Sequence, residues 1–97
     1  MLIHSEKLLM TTSSGTASSN TDGIRGLCHH IIVSPASNDT IYDIDIVNPD
    51  GIVVYERTSE TGLLSELLTL PIRGIYTITI SNSTKNEDFN IQLLIEE

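Results

Sequence analysis

"TIYDIDIVNPDGIVVYERT", residues 40–58, is the stretch on which the fold turns. Tyr42, Ile44 and Ile46 alternate with Ile41, Asp43 and Asp45, the period of two that marks a half-buried β-strand with one face on a core and the other mostly in water. "NPDG" at 48–51 then reads as a turn: Pro49 presets its own backbone angle and Gly51 accepts a left-handed one. "IVVYERT", residues 52–58, returns as an antiparallel partner and ends at the polar break "SETG".

The same period extends in both directions. After Gly74, Tyr76, Ile78 and Ile80 alternate with Ile75, Thr77 and Thr79; the turn "SNSTKNED" follows, and Phe89, Ile91, Leu93 and Ile95 face inward from a last strand with Asn90 and Gln92 outward. Strands are expected near 24–33, 40–47, 52–58, 75–81 and 89–95, over a core that includes Tyr42, Ile44, Ile46, Ile78, Ile80, Ile91 and Leu93. "LLSELLTLPIRG", residues 63–74, is ambiguous. Leu63, Leu64, Leu67 and Leu68 would line a short helix, whereas Leu68, Leu70 and Ile72 alternate as a strand, so one helical turn or loop followed by a strand is expected. Pro71 lacks the donor a central ladder needs and points to a sheet edge. "TTSSGTASSNTDG", residues 11–23, has little to bury and reads as a flexible or extended connector. "MLIHSEKLLM" before it carries Leu2, Ile3, Leu8, Leu9 and Met10. That segment either pairs at an edge of the domain or reaches a neighbouring chain. Residues 1–22 are therefore set apart as an N-terminal arm and connector, and residues 23–97 as the β-sandwich domain.

Ninety-seven residues make one small core. Thirteen acidic against five basic residues give a net charge of −8, which repels phosphate backbones and argues against nucleic acid. No apolar run approaches the roughly 20 residues that cross a bilayer, and no membrane partner is expected. His4, Ser5, Glu6 and Lys7 interrupt any signal-like apolar stretch, so a protein made and kept in the cytoplasm, or assembled there into something larger, is expected. With a single cysteine the chain has no internal disulfide and depends on packing. Six to eight short strands at about ten-residue intervals indicate an all-β, antiparallel, jelly-roll-like sandwich.

"GLCHHIIVSP", residues 26–35, puts Cys28 directly before His29 and His30. In a regular strand Cys28 and His30 share one side, and His29 falls on the other with Leu27 and Ile31. Adjacent residues do not grip one ion, and the only other histidine is His4, across the Ser/Thr-rich stretch. Residues i and i+2 on a strand are roughly 6–7 Å apart, too far for a thiol and its base. Cys28 reads as a small buried apolar residue and the histidines as boundary positions. Asp43 and Asp45 form a carboxylate pair of the kind a glycosidase or calcium site uses, but alternating Asp on an exposed strand face also keeps that face soluble. Ser13, Ser14, Ser18 and Ser19 lack a G-x-S-x-G context. No catalytic, cofactor-binding or metal-ligating residue is assigned, no cofactor is expected, and enzymatic activity is not.

From Thr11 to Glu97 the chain resembles a group of small β-sandwich proteins encoded among the virion genes of tailed bacteriophages. The Ser/Thr-rich lead-in carries the likeness, with Gly26 before the first core strand, the Asn48 to Gly51 turn, the "PIRG" of Pro71 to Gly74 and the "TITISN" strand of Thr77 to Asn82. The resemblance implies a virion structural protein, a capsid decoration or cement protein or a head-tail accessory protein. Its partners would be further copies of itself and other virion proteins, such as the major capsid protein or head-tail proteins. A carbohydrate- or protein-binding β-sandwich module is the alternative. Scarce aromatic residues, three Tyr, one Phe and no Trp, count against it.

Overall fold

The structure is a computed structural model that describes residues 3–97. Eight strands follow in order: β1 Ile3–Thr11, β2 Ala17–Asn20, β3 Ile24–Pro35, β4 Ile41–Val47, β5 Val53–Thr61, β6 Leu64–Gly74, β7 Thr77–Ser81 and β8 Asp88–Glu96. The turn at Asn48–Gly51 is the centre of the topology. The chain doubles back there, so that β4 pairs with β5, β3 with β6, β2 with β7 and β1 with β8, all antiparallel. Two further pairings, β3 with β8 and β4 with β7, split this nested hairpin into a first sheet ordered β1-β8-β3-β6 and a second ordered β2-β7-β4-β5. That order is a jelly roll: two four-stranded sheets rolled from one long hairpin.

The turn carries its own hydrogen bonds. Asn48 Oδ1 accepts from the Asp50 and Ile52 amides at 3.0 and 2.9 Å, and the Gly51 amide donates to the Asn48 carbonyl at 3.0 Å. Between the sheets lie Tyr42, Ile44 and Ile46 from β4, Ile78 and Ile80 from β7, Phe89, Ile91, Leu93 and Ile95 from β8, and Cys28, Ile31 and Val33 from β3. Every core residue named from the sequence is buried. Tyr42 packs edge-on against Phe89 at 5.1 Å between centroids, and its hydroxyl donates to the Gly62 carbonyl. Burial, then the Glu60 charge, pushes that phenol up to about 12.

Three placements differ from the sequence reading. A β-bulge interrupts β3: Cys28 faces Ile95 of β8 while His30 faces the adjacent Leu94, leaving His29 without a partner on that strand. The extra residue reverses the alternation, so Cys28 and Ile31 are both fully buried where regular pleating would place them on opposite faces. No helical turn precedes β6; the register steps from Cys28↔Leu70 to His30↔Leu67, so β6 absorbs an extra residue beside the β3 bulge and runs extended throughout. Pro71 does lie on an edge strand. Residues 12–20 also form more structure than their composition suggests. Ser13 and Thr16 bridge a tight turn, and β2 pairs with β7 by backbone, with Ala17 and Ser19 half-buried and Ser18 and Asn20 exposed. Residues 3–20 thus occur as β1 and β2, the outer strands at one edge of each sheet.

Candidate functional site

Antiparallel strands put alternate connections at opposite ends of the sandwich, and the two ends carry different chemistry. At one end, Glu87 gathers the loops. It accepts from the Ser37 hydroxyl at 2.8 Å and from the Thr40 hydroxyl, while its amide donates to Thr12 Oγ1 at 2.9 Å and its carbonyl accepts the Thr12 amide at 3.0 Å. Thr12 and Thr40 are buried, and Lys85 pairs with Asp39 at 2.7 Å on the rim. Every polar group named there has a partner within the chain.

At the other end lies a shallow cleft of about 380 Å³. It is lined by Arg25, Arg73, His4 and Glu97 together with Gly23, Ile24 and Gly74. The two arginines are register partners on β3 and β6. The tripeptide Ile-Arg-Gly occurs at 24–26 and again at 72–74, and the copies pair antiparallel: Ile24 with Gly74, Arg25 with Arg73, Gly26 with Ile72. Both isoleucines are buried, and both arginines are exposed.

Of the residues weighed from the sequence, Cys28 is fully buried, its thiol directed at the His30 carbonyl at 3.7 Å, and burial pushes its pKa up. His30 Nε2 lies 2.8 Å from Ser65 Oγ on the outer face of the first sheet. Among the described residues, no group of three His, Cys, Asp or Glu side chains is placed to hold a metal ion. Asp43 and Asp45 share the outer face of the second sheet but have separate fates. Asp43 accepts from Asn82 Nδ2 at 2.7 Å and from the Ser59 amide at 2.8 Å, and these bonds hold its carboxyl below the usual range. Ser59 has φ 55 in a bulge of β5, so Asp43 secures that bulge. Desolvation, then the nearby Glu56 charge, moves Asp45 up. Ser18 Oγ lies 3.2 Å from Thr79 Oγ1, a cross-strand contact, and Ser13 closes the turn after β1.

Sequence reasoning passed over a third cluster. Glu66 of β6 accepts the Tyr55 hydroxyl at 2.7 Å and pairs with Arg57 at 2.8 Å, joining the outer edges of the two sheets, and the Arg57 guanidinium lies 4.8 Å from the Tyr55 ring centroid. The hydroxyl, then the guanidinium, holds the Glu66 carboxyl low. Tyr55 and Arg57 stand two apart on β5 and Glu66 lies on β6, so their meeting depends on the approach of these two strands and has no local signal. The arginine pair had a local signal in the repeated tripeptide.

No protein-family model matches the chain, and no curated protein matches it in sequence. Among solved structures, it is similar to a chain in the structure of infectious bursal disease virus, Gx strain, at 11% identity and a TM-score of 0.41, over 98% of this chain and 32% of that one. The Gt strain structure gives 10% identity and a TM-score of 0.41, over 97% and 32%. The chain spans about a third of the length of those it matches.

Proposed function

We propose that this protein is a non-enzymatic structural component of a virion, working as several copies of itself alongside other virion proteins. The jelly-roll strand order supports this reading, since that roll recurs in capsid domains as well as in lectins and cupins. The distribution of side chains carries the choice between them. All four aromatic residues, Tyr42, Tyr55, Tyr76 and Phe89, are buried, so none is offered as a stacking platform for sugar. Large aliphatic residues are exposed instead, with Ile3, Leu9 and Leu67 on the outer face of the first sheet, all more than 60% exposed. Such surface suits burial against protein.

The finer assignment rests on the sequence resemblance: a tailed-phage capsid decoration or cement protein, or a head-tail accessory protein, made in the host cytoplasm and incorporated into the particle. Residues 1–22 act in this proposal as the part that engages neighbours, because β1 and β2 present free edges of both sheets. A carbohydrate- or protein-binding module is the second reading. Light scattering of the purified chain together with a glycan array distinguishes the two. A defined oligomer without glycan signal supports the structural role, and a monomer with a specific glycan signal replaces it with the alternative.

A further inference from the structure

We propose that Arg25 and Arg73, paired across β3 and β6 in the cleft between the chain ends, form an oxyanion-binding site for a phosphate or carboxylate group. The inference is independent of the virion reading and stands on three observations. The first is the pairing itself. Directly opposed side chains on one sheet face have Cβ atoms about 5 Å apart, and like charges there repel. Thirteen acidic residues are available in this chain, and Arg57 and Lys85 each take one, yet among the described residues neither Arg25 nor Arg73 forms an ion pair. Glu97 lines the same cleft without closing on either.

The second observation is that the backbone around the pair is built. Gly26 has φ +134 and a Cβ there would stand 2.5 Å from the Glu96 carbonyl oxygen, while Gly74 has φ +108 and would meet Pro49 Cγ at 2.9 Å. Each arginine is thus followed by a glycine whose positive φ and close neighbours leave no place for a side chain. The fold-deciding turn, through Pro49, is thereby seated against the site. The third is symmetry. Two Ile-Arg-Gly copies paired antiparallel relate the two guanidinium-bearing positions by a local two-fold axis through the cleft. Guanidinium forks bind planar or tetrahedral oxyanions through paired N–H bonds, and an anion on that axis would take both forks and relieve the repulsion between them.

The test is thermal unfolding of the full chain with sodium phosphate or sodium succinate titrated at constant ionic strength against sodium chloride. A saturable rise in midpoint with phosphate alone assigns a phosphate group, with succinate alone a carboxylate, and with both a general oxyanion site. Arg25→Gln and Arg73→Gln should each raise the half-saturating concentration by about tenfold, and Glu97→Gln should lower it. Backbone amide NMR of the unmodified chain provides a readout that no variant's folding affects, with phosphate- or succinate-dependent shifts confined to Gly23–Gly26 and Arg73–Gly74. No response beyond chloride for either anion, shifts elsewhere, or an undiminished response in both arginine variants overturns the site.

Discussion

The two ends of this sandwich are closed by the same eight strands and satisfied in opposite ways. Around Glu87, the carboxylate accepts the Ser37 and Thr40 hydroxyls while the backbone amide and carbonyl of Glu87 bond to Thr12, so residues from three loops are paired inside the chain. Around Arg25 and Arg73, two cations are register partners and, among the described residues, neither forms an ion pair. Buried polar groups need partners, whereas exposed charges tolerate their absence at small cost. The first end is therefore closed by pairing within the chain, and the second is the one to which the proposed oxyanion site is assigned.

The largest effect expected is at the centre that both ends share. Ile44→Asp puts an unpaired charge among Tyr42, Ile46 and Ile80 and should cost more than about 4 kcal/mol, leaving a chain without cooperative unfolding by circular dichroism. Retained cooperative melting would mean the core has another centre. Next comes Gly26→Ala, where the added methyl meets a carbonyl oxygen at a positive φ; about 2–4 kcal/mol should be lost in urea titration. Glu87→Ala, which leaves the buried Thr40 hydroxyl without its acceptor, should cost about 2 kcal/mol, whereas Arg73→Gln at the opposite end should be neutral or slightly stabilising at low salt. Equal losses from these two would erase the contrast between the ends.

Acid gives a smaller and more local test. Glu66 and Asp43 have folded pKa values below their unfolded ones, so their contribution is complete above the unfolded carboxylate range and disappears as pH falls through the folded values. Asp45 is raised, so it opposes folding at neutral pH and ceases to as it protonates. Denaturation midpoints should fall with pH below about 4.5 in the parent, and less steeply in Glu66→Gln. Asp45→Asn should shift stability upward by no more than about 0.5 kcal/mol at pH 7. A loss there would show that Asp45 is held by something other than burial and Glu56.

The strands around Asn48–Gly51 were legible because their alternation is unbroken and their turn chemistry local. Tyr42, Ile44 and Ile46 need no distant information to be placed inward. The bulge at Cys28–His30 was not legible, since an extra residue reverses parity and "LCHHII" offers two phases that only pairing to Leu94 and Ile95 separates. Leu63, Leu64, Leu67 and Leu68 fit a helix because they fall as two adjacent pairs four residues apart; in the structure Leu63 and Leu67 are exposed and Leu64 and Leu68 half-buried, the alternation of an extended strand. β2 escaped notice because Ala17, Ser18, Ser19 and Asn20 have little to bury, and its ordering comes from backbone pairing with β7. The arginine cleft joins residues 48 positions apart. Its halves were both visible as Ile-Arg-Gly, and their juxtaposition belongs to topology.

The nested hairpin also sets an order of events for a chain leaving the ribosome. Ile3 pairs with Glu96 and Thr11 with Asp88, so the first strand made waits for the last. Of the pairings, β4 with β5 closes the shortest loop and β1 with β8 the longest, so closure entropy favours pairing outward from Asn48–Gly51, and folding dominated by such distant contacts runs on roughly the millisecond-to-second scale. As an edge strand whose pairing with β8 closes the longest loop, β1 is the element for which exchange between two copies of the chain costs least beyond the closure already required.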